Sequence, residues 1–189
     1  MRTIMTPTIQ TSRLTLRAFT TDDAADLLAY LSNPIPSCFA DDKITSMDEA
    51  LAKIAKRQQE GDYIAVSLRE SDQVIGEIFY SKDEPDTYSV GWNFNEAFHG
   101  KGYARESAHA FIDYLFEQAG ARRIYAYVEV DNRASQKLCE RLSLRQEGHF
   151  VEFISFINNA DGTPKYEDTL QYAILKKEWL AHNEAVDRT

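Results

Sequence analysis

The seven residues His99-Gly100-Lys101-Gly102-Tyr103-Ala104-Arg105 constrain this chain most, because they join a strand-like run to a helix-like one. Before them, Tyr88 to Phe94 reads as a strand. After them, from Ala104 onward, Ala108, Phe111, Ile112, Leu115 and Phe116 recur at three- and four-residue steps until Gly120 closes the helix. A helix start leaves backbone N–H groups without internal partners and carries the positive end of the helix dipole, and both favour an anion. Glycines let such a backbone bend into a concave nest of N–H groups. Lys101 and Arg105 add positive charge with no acid between them, in a chain whose formal net charge is -9. The junction reads as a seat for an anionic ligand. It is not a P-loop, since Gly102 rather than Ser or Thr follows Lys101. Nor is it a dinucleotide fingerprint, which needs a third small residue where Arg105 stands.

The flanking sequence supplies the frame. Arg13-Leu14-Thr15-Leu16-Arg17 alternates polar and apolar residues as a strand does. Thr21, Asp22 and Asp23 open a helix with the apolar stripe Ala24, Leu27, Leu28 and Leu31, which Pro34 and Pro36 end. Ser46 and Glu49 form a capping box ahead of Leu51, Ile54 and Ala55, and Gly61 stops that second helix. Tyr63 to Leu68, Val74 to Tyr80 and Tyr88 to Phe94 read as a meander of three strands. Ile124 to Val130 is a further strand, Asn132 to Leu142 a helix, and Phe150 to Ile157 with Leu170 to Leu175 a closing strand pair across Asp161-Gly162. This order predicts an α/β (α+β) fold, a mixed central sheet of about seven strands with helices packed on its faces.

At 189 residues, with 43% hydrophobic and 27% charged residues, the chain fits one domain with its core over about residues 11–180. No repeat or linker interrupts it. No apolar run is long enough to span a bilayer, and Met1 to Gln10 lacks a secretion signal, so the cytoplasm is the expected location, with no membrane partner. Cys38 and Cys139 are expected as free thiols. The acidity argues against nucleic acid as a partner and accommodates a cationic one. His99, His109, His149 and His182 lack metal-ligand spacing, so no metal site is expected. Oligomeric state, including a homodimer, stays open.

Several motifs in order carry a family resemblance. They are Val90-Gly91-Trp92-Asn93-Phe94, Gly100-Lys101-Gly102-Tyr103-Ala104-Arg105-Glu106, Asp131-Asn132-Arg133-Ala134-Ser135 and Leu138-Cys139-Glu140-Arg141-Leu142. With the opening Thr11-Ser12-Arg13-Leu14-Thr15-Leu16-Arg17 and the closing Glu147-Gly148 and Trp179, nearly the whole chain resembles the GNAT superfamily of N-acetyltransferases, in its RimJ/RimL-like branch.

The resemblance implies a GNAT fold with helices on both faces of the sheet, in which the fourth strand (Tyr88 to Phe94) and the fifth (Ile124 to Val130) splay into a cleft. It implies acetyl-CoA as cosubstrate and an amine acceptor, either a protein N-terminus or a small cationic amine. By that likeness His99, Gly100, Lys101, Gly102, Tyr103, Ala104 and Arg105 wrap the diphosphate. Backbone groups of Trp92, Asn93 and Phe94 hold the pantetheine arm beside a bulge supplied by Gly91, and Asn132 and Ser135 also hold coenzyme A. Three departures are visible. His99 stands where relatives carry Arg or Gln, Cys139 stands where many carry the Tyr that protonates the departing thiolate, and Ser143-Leu144 replaces a common Gly-Phe. Cys139 is thus a candidate proton donor beside its reading as a buried core thiol. Glu77, an acid in the apolar run Val74 to Tyr80, is the candidate general base beside its reading as an exposed salt-bridging residue. An acyl-CoA-binding module without catalysis is the rival function.

Overall fold

Alternation, capping and glycine stops place most elements where the sequence predicts them. The computed structural model describes residues 6–34 and 37–186; Pro36 and residues 1–5 of the N-terminal segment lie outside this range. The elements run β1 (Ile9–Gln10), β2 (Leu14–Arg17), α1 (Ala24–Leu31), α2 (Met47–Glu60), β3 (Tyr63–Leu68), β4 (Val74–Asp83), β5 (Thr87–Phe94), α3 (Tyr103–Glu117), β6 (Arg123–Glu129), α4 (Arg133–Arg141), β7 (Arg145–Asn158), β8 (Pro164–Leu175) and α5 (Lys176–Val186). The strands form one mixed sheet of eight, in the order β1-β2-β3-β4-β5-β6-β8-β7. One strand more than expected arises because Ile9 and Gln10 pair with Leu16 and Thr15. By its contacts the chain divides into two compact units, Met1–Tyr80 with Trp92–Ala110 and Ser81–Gly91 with Phe111–Thr189.

In the first unit, β2 buries Leu14 and Leu16 completely and pairs antiparallel with β3. β3 in turn pairs antiparallel with β4, with a register shift between Val66 and Ser67. The Ser46 hydroxyl caps α2 by accepting the Glu49 N–H at 3.2 Å, and Gly61 ends it at φ 76°. The return half of the predicted box is displaced by one residue, since the Glu49 carboxylate takes the N–H of Thr45 at 2.6 Å. The first helix begins later than Thr21 predicts, because Thr21–Asp23 forms a 3-10 turn whose Asp23 carboxylate accepts the Thr20 N–H at 2.7 Å. Phe19, Leu27, Leu31, Ile44, Ile54 and Val74 close a core with α1 and α2.

In the second unit, β8 lies between β6 and β7 and is antiparallel to both. The parallel ladder of β5 with β6 runs from Thr87 opposite Arg123 to Ser89 opposite Tyr125, so Val90 and Gly91 have no β6 partner. Phe111, Phe116, Ile124, Leu138, Ile174 and Trp179 are buried. Trp179 belongs to α5, a helix the sequence reading does not predict, and its indole N–H donates to Asp113 at 2.6 Å.

Candidate active site

The glycine junction forms as a turn followed by an open helix start. Asn95 accepts the Ala97 N–H at 3.0 Å, shaping a 3-10 turn over Glu96–Phe98, and the His99 N–H closes on Glu96 O at 3.0 Å. Gly100 and Gly102 then adopt φ of 76° and 82°, a region that costs any L side chain strain. A Cβ added at Gly100 would meet no heavy atom within 4 Å, so conformation and not crowding selects glycine there. The first α3 hydrogen bond runs from the Glu106 N–H to Gly102 O at 3.0 Å. The N–H groups of Tyr103, Ala104 and Arg105 therefore precede any intrahelical acceptor and carry the positive dipole end. Gly100, Lys101, Gly102 and Arg105 are exposed. His99 turns back instead, its Nε2 lying 3.1 Å from Phe94 O; a carbonyl only accepts, so Nε2 is the donor.

The loop is held from behind by residues to which the sequence reading gives no role. Arg13 donates from Nη1 to Lys101 O at 3.0 Å, and its guanidinium lies 4.5 Å from the centre of the Tyr103 ring. Glu106, in the first turn of α3, accepts from Arg13 Nε at 2.7 Å, from the Thr11 hydroxyl at 2.6 Å, from the Ser12 hydroxyl at 3.1 Å and from the Arg13 N–H at 3.0 Å. Burial pushes the Glu106 carboxyl up, but these hydrogen bonds outweigh it and hold the group below the ordinary range.

Trp92, Asn93 and Phe94, at the end of β5, are half-buried. A Cβ at Gly76 would fall 2.4 Å from Phe94 Cδ1 and 2.5 Å from Asn93 O, so glycine is what lets β4 approach here. The Asn95 N–H donates to Ile75 O at 2.9 Å and fixes the same approach. Among the described residues the buried Asn93 Nδ2 has no hydrogen-bond partner. An orphan donor and open loop amides in the same unit both suit a ligand rich in acceptor oxygens, and the junction's exposed cations suit its negative charge.

Glu77 lies in the same unit but is 1% exposed, which corrects the expectation of an exposed salt bridge. Arg57 Nη2 donates to its Oε1 at 2.8 Å, and Nη1 approaches Oε2 at 2.6 Å as an ion-pair contact without hydrogen-bond alignment. Burial, against the pull of Arg57, pushes this carboxyl up to about 7.

The remaining predicted residues fall in the second unit. Asn132 caps α4 by accepting the Ser135 N–H at 3.1 Å, so its side-chain oxygen has a structural use. Cys139 has no exposed surface, and burial pushes its thiol up to about 12. Ser143 occupies the left-handed region at φ 61°, the conformation glycine adopts freely. Among the described residues no His, Cys, Asp or Glu side chains gather in threes as metal ligands. No helix among the described residues is long and apolar enough to cross a membrane. A cavity of about 480 Å³ lined by Arg122, Leu175, Lys176, Lys177 and Leu180 includes none of the predicted site residues.

Comparison with known proteins bears on this arrangement. Residues 13–145 match the family model described as an acetyltransferase (GNAT) domain. An uncharacterized N-acetyltransferase of Bacillus subtilis, YnaD, is 31% identical over 173 residues, covering 90% of this chain and 98% of that protein. A GNAT-family acetyltransferase structure from Bacillus anthracis superposes with a TM-score of 0.79 at 26% identity, covering 90% of this chain and 99% of the other. Spermidine N-acetyltransferase from Vibrio cholerae, solved in complex with CoA and spermine, gives a TM-score of 0.72 at 26% identity, with 90% and 99% covered.

Proposed function

This chain belongs to the GNAT acetyltransferase family, and on that premise we propose that it transfers acetyl from acetyl-CoA to a positively charged primary amine. One observation carries the proposal: two left-handed glycines feed a helix whose first amides, at Tyr103, Ala104 and Arg105, have no intrahelical acceptor. These amides and the exposed cations of Lys101 and Arg105 would hold a diphosphate. The backbone of Trp92, Asn93 and Phe94 would hold the pantetheine arm, with Asn93 Nδ2 as a further donor. Acetyl-CoA supplies the acyl group as a thioester, already activated toward an amine.

The protein's own contribution is then to bind, orient and neutralise. Holding both reactants in place replaces any need for a nucleophilic side chain. Cys139, buried and with its thiol raised to about 12, keeps its proton and takes no part. The ammonium gives up one proton to water before it attacks the thioester and a second after, and water returns one of the two to the departing thiolate. Glu77 is committed to Arg57 across the core between α2 and β4, and we assign it to holding that packing rather than to accepting the amine's proton.

A cationic acceptor is supported by the net charge of -9 and by a relative at 26% identity crystallised with spermine. The test is incubation with acetyl-CoA and a panel of polyamines, diamines and peptide N-termini while free thiol is followed. Release is expected with the polyamines. Saturable binding of acetyl-CoA without thiol release for every amine would favour the noncatalytic module instead.

A further inference from the structure

We propose that Arg13 and Glu106 act as a positioning clamp that sets which way the Lys101–Gly102 peptide faces, and so turns the loop's amides toward a diphosphate; this rests on the reading of the loop given above. In a trans peptide the C=O and N–H point in opposite directions. Arg13 Nη1 binds Lys101 O at 3.0 Å, which aims the Gly102 N–H away from Arg13. Gly102, whose φ of 82° would change in a flip of this peptide, has no side chain to resist it, so the hydrogen bond decides the orientation. A flipped peptide would offer a carbonyl oxygen where an anion needs a donor.

Arg13 is able to hold that carbonyl because it is itself held. Glu106 Oε2 takes Arg13 Nε at 2.7 Å and Nη2 at 2.6 Å, and the Tyr103 ring stacks at 4.5 Å. Glu106 is anchored in turn by the hydroxyls of Thr11 and Ser12. A carboxylate at the first turn of α3 would by itself repel a diphosphate, and Arg13 cancels that charge. The planar guanidinium fork meets carboxylate and carbonyl together, a geometry a lysine ammonium does not reproduce.

The discriminating variant is therefore Arg13→Lys, which keeps the charge and removes the fork. Its binding to CoA, measured by calorimetry, is expected to weaken about tenfold, the scale of one charge-assisted hydrogen bond. Its binding to S-acetylpantetheine, which lacks the diphosphate, should match that of the unmodified chain. In turnover, KM for acetyl-CoA should rise with kcat within about twofold. Glu106→Gln, which leaves Arg13 untethered, should show the same selective loss and provides the measurement if Arg13→Lys fails to fold. The clamp is overturned if both variants bind CoA as the unmodified chain does, or if they lose both ligands in parallel. Failure of the unmodified chain to bind CoA at all is a separate result, which removes the reading of the loop itself.

Discussion

Glu106 and Glu77 each face an arginine at 2.6 Å, yet their surroundings drive them in opposite directions. The Glu106 side chain is 17% exposed and receives hydroxyl and backbone donors besides Arg13, so its carboxyl is held below the ordinary range. The Glu77 side chain is 1% exposed with Arg57 as its close partner, and burial raises its carboxyl to about 7. The arginine is common to both pairs. What separates them is the number of donors left to replace lost water, and this decides whether a carboxylate is at ease or under load. The first pair suits a place beside a ligand, and the second suits the interior of a core.

The largest effect expected from this contrast is in the core. Glu77→Ala leaves Arg57 buried and unpaired and should cost about 3–5 kcal/mol in denaturant unfolding, whereas replacing both residues by methionine should come close to neutral. Next is the pH dependence of that pair. A carboxyl raised from 4.5 to about 7 binds its proton more tightly folded than unfolded. Stability should therefore fall as pH climbs through that window, by up to about 3 kcal/mol, and Glu77→Gln should flatten the slope. Glu106 carries the opposite sign. With its folded value lowered, its contribution is complete above the ordinary carboxylate range and is lost as pH falls through the depressed value. Affinity for CoA should therefore hold at neutral pH and fall in acid, and Glu106→Gln should remove that dependence.

Two smaller effects separate the pairs further. Ser143→Gly, outside both pairs, relieves a left-handed serine and should raise stability by about 1 kcal/mol, a scale against which the pairs can be read. Arg13→Ala, at a side chain 47% exposed, should change stability by less than about 1 kcal/mol while weakening CoA binding. A stability loss at Arg13 as large as that at Glu77 would erase the distinction between the two pairs.

Local chemistry made much of this legible in the sequence. The Ser46 cap, the Gly61 stop and the alternation of Leu14 and Leu16 are decided within a few residues, and the structure places them as expected. The glycine junction was legible for the same reason, since positive φ and free helix amides are properties of the segment itself. The features that local sequence hides have a common origin. β8 passes directly into α5 between Leu175 and Lys176 with no glycine or proline to mark the change, so nothing in the segment predicts that helix. β7 begins at Arg145 rather than Phe150, because register shifts around Gly148 and Phe150 and a left-handed Glu152 break the alternation that signals a strand. The clamp joins residues 93 positions apart and the core pair joins residues 20 apart. Nothing local announces either partner.

Whether this chain transfers acetyl is decided by the balance of one reaction. The chain is mixed with acetyl-CoA and spermine, and free thiol and acetylated amine are counted together. Equal amounts of the two, rising with time and absent when the chain is omitted, are predicted. Thiol without acetylated amine, or neither product while acetyl-CoA is bound, would contradict the account.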